Sequence, residues 1–129
     1  VVARYQDGRV LKGVTNDFIP AKDRFHLVPL ESAPGTKPVE VLIGDLKALF
    51  FVRDFAGNPQ HKESGDFDLT KAAGGRKIRV VFKDGETIVG TTQGYQPGRP
   101  GFFVVPADAK SNNERCFVVS VATREVSFL

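Results

Sequence analysis

Two short polar stretches hold the side chains best suited to grip another molecule: Gln96-Pro97-Gly98-Arg99-Pro100-Gly101 and Asn112-Asn113-Glu114-Arg115. In the first, two prolines and two glycines surround an arginine, which gives a constrained loop with a fixed cation. If the two stretches adjoin, Arg99, Arg115, Asn113 and Gln96 can bind a phosphate or carboxylate through forked donors. The alternative is a plain proline–glycine turn beside a solvated polar loop. The matching stretch in the first half of the chain, Ile19-Pro20-Ala21-Lys22-Asp23-Arg24, keeps two cations but adds Asp23. A site is therefore expected in the second half or at the junction of the two.

Nucleophilic catalysis needs a nucleophile, a base and an orienting group. The only histidines are His26 and His61, and neither has a Ser or Cys neighbour of motif character. No catalytic residue is assigned, and the chain is expected not to be an enzyme. Zinc requires clustered ligands; two scattered histidines and one cysteine assign no metal site and imply no cofactor. Asp66 and Asp68 share one side of an extended segment, and read as a helix cap plus a solvated acid rather than a cation site. Gly74-Gly75-Arg76-Lys77 lacks the spacing of a phosphate-binding loop and reads as a lead into a strand.

The elements that would position these residues follow from a repeat. Shifted by 77 positions, residues 1–52 fall onto residues 78–129 without a gap. Asp7-Gly8 meets Asp84-Gly85, Gly13 meets Gly90, Phe25 meets Phe102, and Phe51 meets Phe128. In the first copy the matched positions are odd-numbered and mostly apolar, among them Ala3, Leu11, Phe25, Leu27, Val41 and Leu49. Period two of this kind marks strands with one face on a core. His26 has the opposite parity to Phe25 and so points outward.

Turn residues cut each copy into five strands. Asp-Gly supplies the positive φ of a tight hairpin. The second strand is expected to run Arg9–Phe18 and Glu86–Tyr95, with Gly13 and Gly90 allowing a bend or the close approach of another backbone. Further strands are expected at Phe25–Leu30, Val39–Ile43 and Ala48–Val52, and at Phe102–Ala107, Cys116–Ser120 and Glu125–Leu129. Residues 53–77 read as a linker, with one or two helical turns within 66–73.

Five short strands, the second long and bent, are how small SH3-like barrels are built. Each copy also resembles the Sm-like family, in which an aromatic follows a mid-strand glycine at five positions: here Gly13 and Phe18, Gly90 and Tyr95. The resemblance implies the fold. The aromatic is not followed by Asp, and the loop holding Pro20 or Pro97 is long for that family. No Arg-Gly or Lys-Gly pair stands between the last two strands, where the family binds RNA. Only Lys47 and Arg124 lie near that place, as candidate basic contacts.

Composition narrows the classes further. The chain has 129 residues, 41% of them hydrophobic, which excludes long disorder. Eleven Phe, two Tyr and no Trp suit dry cores rather than aromatic platforms. A net charge of +3 with interleaved signs permits an anionic partner without requiring one. The lone Cys116 sits in an apolar run, where a buried thiol and a reducing, cytoplasmic compartment are expected. No apolar stretch approaches the roughly 18 residues that span a membrane, and no membrane partner is expected. The chain lacks methionine and opens on a strand pattern, so it is expected to lack its true start, either as a trimmed chain or as one domain of a longer protein.

The expected fold class is mainly β: two tandem five-stranded SH3-like or Sm-like small barrels, at 1–52 and 78–129, packed together. The whole looks like an uncharacterised bacterial family of such tandem modules. The expected function is a non-catalytic binding or interaction module, regulatory or scaffolding, for a protein partner or a small anionic ligand. RNA or nucleotide binding through basic loops is the alternative. The outward parity also carries apolar residues: Leu42, Phe50 and Val52 in the first copy, and Phe103, Val105, Phe117 and Val119 in the second. Strands apolar on both faces are buried on both. Either the barrels share these surfaces within the chain, or the surfaces form a homo-oligomer interface or a peptide groove.

Overall fold

The computed structural model of the chain describes residues 1–20, 22–30, 35–52, 75–93, 95, 98–107 and 113–129. The expected helix within 66–73, the pair Asp66 and Asp68, His61, Gln96 and Pro97 lie outside the described residues.

Ten strands run β1 (Val2–Tyr5), β2 (Val10–Val14), β3 (Arg24–Pro29), β4 (Val39–Leu42), β5 (Leu46–Val52), β6 (Arg76–Phe82), β7 (Thr87–Thr92), β8 (Gly101–Pro106), β9 (Asn113–Val119) and β10 (Thr123–Phe128). Short 3₁₀ turns at Ile43–Asp45 and Ser120–Ala122 lead into β5 and β10. The protein is mainly β. Its strands pair as one open antiparallel sheet in the order β10-β6-β7-β8-β9-β5-β1-β2-β3-β4. The pairing thus joins the two halves edge to edge through β5 and β9, instead of leaving each half as a separate sheet. The registers of the second half reproduce those of the first: Val2 pairs with Lys12 and Phe50, and Arg79 with Val89 and Ser127.

The local chemistry explains the hairpins. Gly8 and Gly85 hold φ near +95° and +93°, where a Cβ would be strained. The preceding aspartates close the turns, since Asp7 accepts the Arg9 N–H and Asp84 the Glu86 N–H, each at 3.0 Å. The second strand is shorter than its pattern suggested. Beyond Val14 the chain leaves the ladder, and Phe18 returns to meet Phe25 edge-on at 5.3 Å. Gly13 and Gly90 serve close approach: a Cβ there would overlap the carbonyls of Val28 and Val105.

Apolar parity then builds two cores. One gathers Ala3, Phe25, Leu27, Val41 and Leu49; the other gathers Ile78, Val80, Phe82, Phe102 and Val104. Each core also takes residues from the opposite half. Phe117 and Val119 of β9 pack into the first, and Ala48 and Phe50 of β5, with Val2 of β1, into the second. The β5–β9 pair is therefore a wall with a core on either side. Along Leu46–Phe50 and Cys116–Val119 every residue is buried. Of the seven outward apolar residues, Phe50, Val52, Phe103, Phe117 and Val119 pack at this wall. Leu42 and Val105 stay exposed at 39% and 51%.

Removing a wall ring leaves a cavity that two rigid cores cannot both collapse to fill. Phe117→Ala is expected to cost about 3–5 kcal/mol, and Leu42→Ala less than about 1 kcal/mol. Urea denaturation of the two variants measures the difference.

Candidate binding site

The β8–β9 ladder decides which candidate residues meet. Phe102 pairs with Val118, and Val104 with Cys116. At one end Ser120 holds the Arg99 segment: its N–H donates to the Pro100 carbonyl and its hydroxyl to the Arg99 carbonyl, both at 2.9 Å. Arg115 lies five residues earlier on β9, opposite Phe51. At about 3.3 Å per residue the two arginines stand roughly 16 Å apart along the strand. The structure does not bring them into one fork, because the two loops leave opposite ends of the ladder. Asn113 starts β9 opposite Val52, at the Arg115 end.

At that end a compact arrangement forms that spacing alone did not reveal. The Arg115 guanidinium lies 4.5 Å from the Phe51 ring centroid and 4.7 Å from that of Phe103. Those rings are 6.1 Å apart, and both contact Phe18. The three rings are half-buried and Arg115 is exposed. Among the described residues no carboxylate pairs with it. Two ring faces orient the guanidinium plane and leave N–H donors turned to solvent. The site is assembled across the junction, with Phe18 and Phe51 from the first half and Phe103 and Arg115 from the second.

The other basic candidates differ. Lys47 is buried, with its Nζ 2.8 Å from Asp84 and 3.0 Å from Glu86, and 4.7 Å from the Phe82 ring centroid. It is a neutralised tether between β5 and the β6–β7 hairpin and offers solvent no free cation. Burial was legible in its neighbours Leu46, Ala48 and Leu49; its acidic partners, some 37 and 39 positions away, were not. Arg124, at the matching position of β10, is exposed.

His26 is exposed, as its parity implied. Asp17 accepts the His26 backbone N–H at 2.9 Å and the Thr15 hydroxyl at 3.1 Å, and lies 2.7 Å from Nδ1. The His26 backbone bond leads the interactions that hold the Asp17 carboxyl below its ordinary range. The clasp fixes the loop after β2 onto β3. Cys116 is buried in the wall.

Among the described residues no group of three or more His, Cys, Asp or Glu side chains is placed to hold a metal ion. No helix there is long and apolar enough to cross a membrane.

These features define a mainly antiparallel β protein with a cation–aromatic site at its central seam. The chain belongs to a family of unknown function, DUF6982, whose model matches residues 1–129. No curated protein and no solved structure matches it.

The tether carries a pH signature. The Lys47 hydrogen bond is the main cause that holds the Asp84 carboxyl below its ordinary range. A carboxyl depressed on folding stabilises the protein above its unfolded pKa and loses that contribution as pH falls through the folded value. Lys47→Met is expected to cost about 1 kcal/mol at pH 7, since both carboxylates are half exposed. The cost should shrink as pH falls below about 4. Chemical denaturation of both proteins across pH 2.5–7 (a range of roughly ordinary carboxylate titration) reads the effect.

Proposed function

We propose that the chain is a non-catalytic interaction module, and that Arg115 receives a carboxylate of its protein partner. Each half is read as a small SH3-like barrel. The strand order β5-β1-β2-β3-β4 around one core supports this, as does its repetition in the second half. The observation that carries the functional reading is Arg115: an exposed guanidinium held on two rings and matched by no carboxylate among the described residues. Such a group is preorganised, so little side-chain entropy is lost on binding. Asn113 stands two positions earlier on the same strand. Arg99, on a turn that positive-φ Gly98 helps to form, is a separate and weaker anchor. A non-catalytic role is supported by the wall burial of Cys116 and by the clasp of His26 onto Asp17. A regulatory or scaffold part of a cytoplasmic bacterial protein is the setting in which we place it.

RNA binding needs a contiguous basic surface with stacking bases. Lys47 is withdrawn from any such surface by Asp84 and Glu86, and the rings beneath Arg115 are already covered. A carboxylate-bearing partner fits the arrangement better.

Titration of ¹⁵N-labelled protein with an acidic peptide, with inorganic phosphate and with oligouridine tests the reading. The peptide should shift the amides of Phe51, Phe103 and Arg115. Arg115→Ala should weaken it about tenfold or more, the loss of one charge-assisted hydrogen bond, with little change in Tm. Unchanged affinity in Arg115→Ala, or dependence on Arg99 instead, would sink the proposal. Saturation by oligouridine alone would favour the nucleic-acid reading.

A further inference from the structure

The sheet ends on β4 at one side and β10 at the other, and among the described residues each is paired on a single edge. Sheet edges of this kind invite another strand. The repeat identifies the strand they would be expected to accept. Displaced by 77 positions, β4 is the counterpart of β9 and β10 the counterpart of β5. The contact that forms the wall within one chain would thus set β10 of one copy against β4 of the next. In the wall's register, Val126 would face Glu40, Ser127 would face Val39, and Phe128 would face Pro38.

The residues at those edges oppose the contact. Where the wall buries Phe117 and packs the half-buried Phe103 against it, the β4 side carries Glu40 and His26, both exposed. Where the wall buries Val2, Ala48 and Phe50, the β10 side carries Arg79, Glu125 and Ser127. Repeating the wall would bury these ionisable groups in apolar surroundings, which is strongly unfavourable without built-in partners. Glu40 is already engaged by Arg24 at 3.3 Å, and His26 by Asp17.

Two further changes act in the same direction. β4 has four residues where β9 has seven, and Pro38, in the place of Arg115, brings no N–H to a ladder. The tether is also reversed. Lys47 meets Asp84 and Glu86, whereas its counterpart Arg124 would meet Asp7 and Arg9. Arg9 stands in the place of Glu86, and it already pairs with Asp7 at 2.8 Å.

We propose that β4 and β10 are built as non-complementary ends, so that the edge contact made once inside the chain is barred between copies. The ends are thereby kept from the chain's own kind. Like charges, a proline and a shortened strand are specificity devices against self-pairing.

Light scattering coupled to size exclusion, run on the wild-type chain up to about 1 mM, should give the mass of one chain, 14.1 kDa. Restoring the wall set, with His26→Phe, Glu40→Phe, Arg79→Val, Glu125→Ala and Ser127→Phe together, should produce species of several chains. A folded variant that stays at one chain's mass would overturn the proposal. A disulfide trap keeps the test decisive if that variant fails to fold. One chain carrying Val39→Cys is mixed under oxidising conditions with a second carrying Ser127→Cys. These positions would be cross-strand neighbours in the barred contact, within disulfide reach. No cross-link above that of cysteine pairs placed at control positions away from the two edges supports the ends as described; an efficient cross-link overturns them.

Discussion

Burial of β5 and β9 on both faces is the constraint on which this protein depends. A five-stranded half of some 52 residues covers too little apolar surface to be secure alone. Here each half completes its core with side chains from the other. Phe117 and Val119 leave the second half to fill the first, and Phe50 and Ala48 make the reverse exchange. Backbone groups of both strands are paired on both edges, so the shared layer also leaves no exposed ladder at the centre of the molecule. Lys47 joins the same seam with charge, crossing from β5 to the Asp84-Gly85 hairpin of the other half.

Much of this was written in the chain at short range. The odd-numbered apolar positions from Ala3 to Phe51 gave the core faces, the two Asp-Gly pairs gave the hairpins, and Gly13 and Gly90 gave the points of close approach. Five of the seven apolar residues of the other parity marked a second buried face, whereas Leu42 and Val105 face solvent. What they could not specify was the strand that covers them. Phe50 and Cys116 are paired although 66 positions apart, and nothing local marks that choice. Strand ends were also hard to read, because the pattern of β2 continues to Phe18 after the backbone has left the ladder.

The binding site shows the same division. Arg99 and Arg115 each stand in a polar stretch of the second half, which makes them look like partners. The antiparallel ladder between them sends the loops to opposite ends, so chemical likeness was a poor guide to proximity. Arg115 instead finds Phe51 and Phe103, one from each half. A stacked guanidinium of this kind depends on the β5–β9 register, since a slip of one residue would turn Phe51 to the other core.

The shared wall also shapes how the molecule comes apart. Pulling either half from the sheet strips the other of rings at its centre, so the halves are expected to melt together as one cooperative unit. The wall amides should then exchange with solvent only through global opening, while those of the edge strands open locally at lower cost. The long sequence separation across β5 and β9 delays the chain's final closure in folding, since two partly formed halves must meet before either core is complete.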